Sequence, residues 1–251
     1  MTYVIAVAGK GGVGKTTFAA LTVRHLCDAT GDVVLAVDAD PNSNLGEKLG
    51  TPPGRTLGDI REEMLANGDE LPKGVSKQEH IDYQIRLALK EGHEFDLLTM
   101  GRQEGPGCYC YVNNMLRTIV DSLADRYKYV VIDNEAGMEH LSRRTTKRSD
   151  VLFVLHDGSK ASLEASRRIS ALADEMKIKI GRKALVCNLL GAGSETLPIP
   201  ELPGFDAAYG IRRSSKIQAK MVETESLMDI PKTDPAFSDV ARVVDAERKR
   251  S

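Results

Sequence analysis

A glycine-rich segment near the start of the sequence combines the residue types that bind phosphate. It fits the pattern G-x-x-x-x-G-K-[ST] and reads Gly9-Lys10-Gly11-Gly12-Val13-Gly14-Lys15-Thr16-Thr17. The glycines let successive backbone N–H groups face a phosphate, Lys15 can neutralise its oxygens, and the Thr16 hydroxyl can bind Mg²⁺. A glycine-rich turn without a ligand is the alternative. The apolar run before the segment and the helical pattern after it favour a loop that binds a nucleotide.

Carboxylates follow two other apolar runs, where they could serve a phosphate-bound metal. Asp38 and Asp40 come at the end of a run that starts at Val33, and Asp133 ends the run that starts at Tyr129. The carboxyl ends of parallel strands share one edge of a sheet, and ligands bind at that edge. We therefore expect Asp133 to hold Mg²⁺ through a water molecule. For the segment 38–44 a solvated turn is the alternative, because Asp, Pro and Asn are common in turns.

Two cysteines, Cys108 and Cys110, have the spacing of metal ligands. In an extended chain, residues two apart project to the same side, so both sulfurs can face one ion. Two thiolates fill half of the tetrahedral site that a soft divalent ion prefers, and a second copy of the chain would supply the other half. Small apolar packing is the alternative, which the glycines and polar residues of segment 105–114 disfavour. For Cys27 and Cys187, which lie in apolar patterns, packing is the better interpretation.

The elements that must position these residues follow from short apolar runs that alternate with helical patterns. Six runs predict strands, at Tyr3–Val7, Val33–Asp38, Phe95–Met100, Tyr129–Asp133, Val151–Leu155 and Ala184–Asn188. Helices are predicted at Thr17–Ala29 and Val112–Leu123. Such alternation is typical of an α/β fold with a mostly parallel, twisted sheet and helices on both faces.

The rest of the chain carries weaker signals. Between Gly46 and Gly92 no strand is predicted, but Ser76 and Glu79 form a capping box, so we interpret this stretch as a helical excursion. After Gly191 the pattern weakens. Since no internal repeat or clear linker is visible, we expect residues 1–251 to form a single domain.

Composition limits the function classes. The chain has 251 residues, with 34 Lys and Arg against 36 Asp and Glu, so its net charge of −2 gives no reason to expect nucleic acid as a partner. Four cysteines are too few for a disulfide scaffold in a chain of this length. No apolar run approaches the roughly 20 residues that a bilayer span needs, and no targeting signal is visible. We expect a cytoplasmic protein without membrane partners.

Lys10 narrows the class of phosphate loop to which the segment Gly9–Thr17 belongs. The string GKGGVGKTT resembles the deviant phosphate loop of the family that includes MinD, ParA and the nitrogenase iron protein. The resemblance implies an ATP-hydrolysing homodimer in which Lys10 reaches the nucleotide of the other subunit, while Lys15 acts on its own. A Lys10 that touches only its own nucleotide is the alternative.

The same resemblance implies roles for residues beyond the loop. Asp40 orients the attacking water, Asp38 belongs to the magnesium environment, and Asn44 lies in a switch region. Asn188 matches the asparagine that contacts adenine. Relatives usually have a Gly-x-Ile-Pro-Tyr-like segment after the last strand, and the nearest candidate here is Tyr209–Arg213, which lacks the proline. The sequence therefore does not identify the residues that form the far wall of the base pocket.

The cysteine segment narrows the resemblance further. GCYCYVNNMLR and DNEAGMEHLSRR, together with GKGGVGKTT, resemble the CooC-type nickel-insertion ATPases and their relatives that serve acetyl-CoA synthase. This implies binding of Ni²⁺ or Zn²⁺ at the shared Cys108 and Cys110, and delivery of nickel to carbon monoxide dehydrogenase or acetyl-CoA synthase. In the second switch, Gly137 could sense the γ-phosphate, whereas regulatory contacts are the better interpretation for Glu139 and His140.

Two other functions remain as alternatives. One is an iron-protein-like reductase with a [4Fe–4S] cluster bridging two subunits, although cluster cysteines in iron proteins are widely separated in sequence. The other is a MinD- or ParA-like spatial regulator. The segment from Val240 to Ser251 has a weak apolar face, which disfavours a membrane-targeting helix.

Overall fold

One eight-stranded sheet organises the protein, whose structure is a computed structural model. It describes residues 2–52, 54–66, 74–92, 94–101, 121–135, 148–175, 179–190, 202–223 and 225–250. The strands are β1 (Tyr3–Gly9), β2 (Val34–Ala39), β3 (Lys90–Glu91), β4 (Phe95–Thr99), β5 (Tyr129–Asn134), β6 (Arg148–His156), β7 (Lys179–Leu190) and β8 (Ala207–Arg212). Their order in the sheet is β3-β4-β2-β5-β1-β6-β7-β8. Only β3 runs antiparallel to its neighbour among these strands; the other pairs are parallel.

Helices cover both faces of this sheet. They are α1 (Lys15–Thr30), α2 (Leu45–Lys48), α3 (Leu57–Ala66), α4 (Lys77–Ala88), α5 (Lys160–Glu175), α6 (Ser215–Val222) and α7 (Pro235–Arg248). Helices α1 and α7 pack on one face, around a core that includes Phe18, Phe153 and Phe237. Helices α3 and α4 pack on the other face, where Ile60, Ile81 and Ile85 are buried, and α5 lies on the same side further along the sheet.

The predicted α/β class is confirmed, and all six predicted strands form. Strands β1, β5 and β6 lie in the middle of the sheet and are buried on both faces, which explains their continuous apolar sequences. Helix α1 ends where expected, because Gly31 adopts φ 69° and its N–H donates to the Cys27 carbonyl oxygen at 3.0 Å. The predicted helix at Val112–Leu123 lies mostly outside the described residues, of which 121–124 are helical.

The structure corrects the sequence prediction within the segment Gly46–Gly92. The segment Gly46–Gly92 does contain a strand, β3, which is only two residues long and pairs with β4 at the edge of the sheet. So short a strand leaves no periodic pattern. The expected helical excursion is present as α2, α3 and α4, and the capping box of Ser76 and Glu79 opens α4.

The part of the chain after Gly191 is more ordered than its weak pattern indicated. Strand β8 extends the sheet, and α7 buries Phe237 and Val240 against α1. A buried carboxylate fixes this arrangement, since Glu247 of α7 accepts hydrogen bonds from Arg182 of β7 (2.6 Å) and Tyr209 of β8 (2.5 Å). In the described residues, no helix has both the length and the apolar character to span a bilayer.

We expect Phe153→Ala to lower the free energy of unfolding by about 3–5 kcal/mol, because it removes a large ring from a site with no solvent exposure. The lost contacts include the edge-to-face packing on Phe18, with ring centroids 5.1 Å apart. Urea denaturation measures the change. Tyr83→Ala, at a position that is 58% exposed, is the control and should cost less than about 0.5 kcal/mol. Equal losses in the two variants would contradict this account of the core.

Candidate functional site

The phosphate loop lies at the carboxyl edge of the sheet, between the end of β1 and the start of α1. Gly9 ends the strand, and a Cβ there would lie 2.5 Å from the Leu155 carbonyl oxygen of β6, so only glycine permits this close packing. Helix α1 begins at Lys15 without a side-chain cap and without an acidic residue in its first turn. Its first N–H groups and the positive end of its dipole are therefore available to an anion.

The two lysines of the loop differ in their surroundings. Lys15 is buried, and its ammonium Nζ lies 3.3 Å from the carbonyl oxygen of Lys10, inside the turn of the loop. The side chain of Lys10 is exposed. One lysine is thus held within the loop, while the other projects from it.

Three carboxylates meet beside the loop. Asp38 and Asp133 are direct partners in the pairing of β2 with β5, and both are fully or almost fully buried. Asp38 accepts hydrogen bonds from the N–H groups of Leu45 (2.8 Å) and Asp40 (3.2 Å). Asp40 is partly exposed and accepts from the backbone N–H and the side-chain amide of Asn42, both at 2.9 Å.

Asp133 is the least compensated of these carboxylates. Neither of its oxygens accepts a hydrogen bond. Burial raises the pKa of Asp133 to about 7; the nearby Thr16 hydroxyl and the Lys15 ammonium oppose this shift, and the charge of Asp38 adds to it. Burial also raises the pKa of Asp38 to about 6.

These residues fit a magnesium ion. A cation stabilises the ionised form of a buried carboxylate whose oxygens accept no hydrogen bond. Mg²⁺ is usually held by one or two carboxylates, waters and the phosphates of its nucleotide. In the described part of the chain, no three His, Cys, Asp or Glu side chains form a closed metal cage. The carboxylates of this edge are consistent with a magnesium ion that is bound together with the phosphates of a nucleotide.

An apolar pocket of about 390 Å³ opens next to the phosphate loop. This volume falls in the range of about 300–1,000 Å³ that is usual for ligand pockets. It is lined by Gly12, Gly14, Thr17, Phe18, Leu21, Asn188, Ile211, Arg212, Ser214, Ile217, Gln218, Met221, Val222, Ala236 and Val240. Since Asn188 and the loop share this lining, the pocket is positioned to receive a base whose phosphates occupy the loop.

The far wall of the pocket, which sequence reasoning left open, is helix α6. Ile217, Gln218 and Met221 face the pocket from this helix, and the Thr17 hydroxyl contacts the Met221 sulfur at 3.6 Å. Of the segment Tyr209–Arg213, Ile211 and Arg212 also line the pocket, whereas Tyr209 does not. The signal for α6 was Ser214, which caps the helix by accepting from the Ile217 N–H at 3.1 Å.

The structure thus brings together the predicted phosphate loop, Asp38, Asp40, Asp133 and Asn188 at one edge of the sheet. Cys27 and Cys187 are free and buried. Of the other predicted site residues, Asn44 lies at the start of α2. Cys108, Cys110, Gly137, Glu139 and His140 lie outside the described residues.

The fold and the site define a P-loop nucleotide-binding protein with a MinD/ParA-like fold. The MinD cell-division ATPase of Pyrococcus furiosus superimposes with a TM-score of 0.70 at 19% identity, covering 100% of both chains. MinD of Pyrococcus horikoshii, solved as a complex with Mg-ADP, gives a TM-score of 0.63 at 19% identity and covers 98% of this chain and 96% of its own.

The sequence comparisons identify the family. The family described as "AAA domain" matches residues 2–184. An uncharacterized ATP-binding protein of Methanocaldococcus jannaschii is 51% identical over 187 residues, 74% of each chain. The carbon monoxide dehydrogenase accessory protein CooC of Rhodospirillum rubrum is 32% identical over 186 residues, 70% of each chain. The chain belongs to this AAA-domain family of ATP-binding proteins.

We expect the free energy of unfolding of the nucleotide-free, magnesium-free protein to fall as the pH rises from 5 to 7. An unfolded Asp ionises near pH 3.9, whereas folded Asp133 keeps its proton to about pH 7. Between these two pKa values the folded state binds more protons than the unfolded state, so a rise in pH destabilises the folded state. The Asn side chain of Asp133→Asn cannot ionise. Over this pH range, the free energy of unfolding of the variant should therefore fall by on the order of 2 kcal/mol less than that of the wild type.

Denaturation at a series of pH values checks this prediction. Asp82→Asn, at an exposed position in an ion pair with Arg86, is the control and should retain the pH dependence of the wild type. Parallel pH profiles for the wild type and Asp133→Asn would contradict the raised pKa.

Proposed function

We propose that the protein is an ATP-hydrolysing, dimerising metallochaperone, which binds Ni²⁺ or Zn²⁺ at Cys108 and Cys110 of two subunits. Its client would be carbon monoxide dehydrogenase or acetyl-CoA synthase. The observation that carries the proposal is the coexistence in one chain of a nucleotide site and a Cys-x-Cys segment. The 32% identity to a carbon monoxide dehydrogenase accessory protein supports it.

The nucleotide site supports ATP hydrolysis. In this proposal Gly9–Thr17 hold the phosphates, with Lys15 neutralising charge from inside the loop, and Asp40 orients the attacking water. Asp40 suits that role because it is partly exposed, whereas Asp38 and Asp133 are buried.

Mg²⁺ would be held by Thr16, Asp38 and Asp133. The Thr16 hydroxyl lies close to Asp133, and Asp38 is the register partner of Asp133. When bound, the ion would neutralise developing charge on the phosphate oxygens. ATP or ADP and Mg²⁺ are therefore the proposed ligands of this edge.

The exposed side chain of Lys10 supports a role across a dimer. A lysine that projects from the loop can reach a nucleotide bound by a second subunit, while Lys15 is already committed to its own loop. The same dimer would bring two copies of Cys108 and Cys110 together, and four thiolates complete a tetrahedral site. Metal binding and ATP-dependent dimerisation would then be linked.

We propose that the protein acts in the cytoplasm. Its partners would be a second copy of the chain and a nickel enzyme, and we propose neither a nucleic acid nor a membrane as a partner.

A MinD-like spatial regulator is the second candidate, favoured by the likeness to solved MinD structures. Among the described helices, the last one, α7, buries the apolar side formed by Phe237, Val240, Val243 and Val244. That side is therefore engaged by the core and does not face a membrane. Co-sedimentation with anionic liposomes in the presence of ATP distinguishes the two candidates, because only the MinD-like regulator is expected to bind the liposomes.

We expect the wild type with ATP to bind about one Ni²⁺ or Zn²⁺ per dimer and Cys108→Ser to bind none, because two of four thiolates are lost. Metal analysis after gel filtration provides the stoichiometry. The ATP affinity of the monomer should be unchanged. Cys27→Ala, which removes a buried thiol elsewhere, is the matched control and should keep the metal. Unchanged metal content in Cys108→Ser would overturn the metallochaperone proposal.

We expect Lys10→Ala and Asp40→Ala each to lose ATP turnover, and an equimolar mixture of the two to regain part of it. In a mixed dimer, the nucleotide site of the Lys10→Ala subunit keeps Asp40 and receives Lys10 from its partner. Phosphate release against time measures the recovery. If Lys10 acts only on its own nucleotide, every site in the mixture lacks one residue and the mixture stays inactive.

A further inference from the structure

Asn188 contacts the phosphate loop itself as well as lining the base pocket. Its side-chain Nδ2 donates a hydrogen bond of 2.7 Å to the carbonyl oxygen of Val13, and both residues are buried. This bond joins the end of β7 to the loop, across a separation of 175 residues in the sequence. A contact with the base alone would not require it.

Gly14 shows how close this approach is. Its φ is +90°, and a Cβ at this position would lie 2.3 Å from Asn188 Nδ2. Any larger residue would therefore collide with the amide, in addition to the strain of its backbone conformation. The two consecutive residues Val13 and Gly14 thus both touch the Asn188 side chain.

The hydrogen bond to Val13 determines where the next N–H group points. The peptide unit between Val13 and Gly14 is planar and trans, so its N–H points away from its carbonyl oxygen. With that oxygen directed at Asn188, the Gly14 N–H is turned to the opposite side. In a loop of this type, N–H groups turned inward receive the phosphates.

We infer that Asn188 is a positioning residue for the phosphate loop, so that it supports the binding of phosphate even when no base is present. The inference rests on the proposed nucleotide-binding function and adds a second role to the base contact. The two roles use different atoms. One N–H of the amide is committed to Val13, which leaves Oδ1 and the other N–H to face the base.

The inference is tested with a ligand that has phosphates and no base. Magnesium tripolyphosphate and magnesium ATP are titrated in parallel into the wild type and Asn188→Ala. Loss of a buried hydrogen bond should weaken tripolyphosphate binding about tenfold, and ATP binding at least as much. The kcat of ATP hydrolysis should fall together with a rise in KM, because the phosphates are less well positioned.

A matched control removes another amide from the same pocket. Gln218 lines the pocket from α6, and no hydrogen bond joins it to the phosphate loop in the part of the chain that the structure describes. Gln218→Ala should therefore weaken only ATP binding and raise KM without lowering kcat. Asn188→Leu, which is uncharged and fills the space of the amide, should behave like Asn188→Ala and serves if the smaller residue prevents folding.

Two outcomes separate this inference from the proposed function. If both Asn188 variants bind tripolyphosphate within about twofold of the wild type while losing ATP affinity, Asn188 contacts only the base and the inference is overturned. If the wild type binds neither ligand, the nucleotide-binding function itself is wrong. Thermal unfolding without ligand identifies the folded variants from which the affinities are taken.

Discussion

Two buried carboxylates with too few partners are the constraint on which the site depends. Asp38 and Asp133 lie side by side near the carboxyl ends of β2 and β5, and both are buried. Desolvation of both groups favours their neutral forms, and only Asp38 has backbone N–H groups to offset it. A cation relieves this cost. The phosphate loop begins beside them on β1, so one bound magnesium nucleotide would satisfy the carboxylates, Lys15 and the free N–H groups of α1 together.

Neighbouring strands extend this edge into a continuous binding surface. From β5 and β2 the surface passes through the phosphate loop after β1 to Asn188 at the end of β7, and then to the apolar pocket under α6. Strands β2, β5 and β7 contribute Asp38, Asp133 and Asn188 near their carboxyl ends, which lie at the same edge of the sheet. The polar part of the surface matches the phosphates and the apolar part matches a base.

Sequence reasoning was strongest where a residue pattern carries its own structural requirement. The string from Gly9 to Thr17 requires a strand before it and a helix after it, and both are present. It was weakest for β8 and α6, whose residues are partly exposed and follow no long apolar period. Such elements are stable because they pack on a finished sheet. Tyr209 illustrates the difficulty, since its hydroxyl donates to Glu247 of α7, while Ile211 of the same strand lines the pocket together with Ile217 and Met221 of α6.

The sequence alone was enough to predict the α/β class, the phosphate loop, the acidic ends of two strands and the cysteine pair Cys108 and Cys110. These features depend on residue types at short spacing, so they can be predicted from local chemistry without knowledge of the fold. The tertiary structure alone shows which carboxylate lacks partners, which helix closes the pocket beside the phosphate loop, and that the Asn188 side chain in the lining of this pocket donates a hydrogen bond to Val13. Those facts arise from contacts between residues up to 204 positions apart, and such contacts exist only after the strands have taken their order in the sheet.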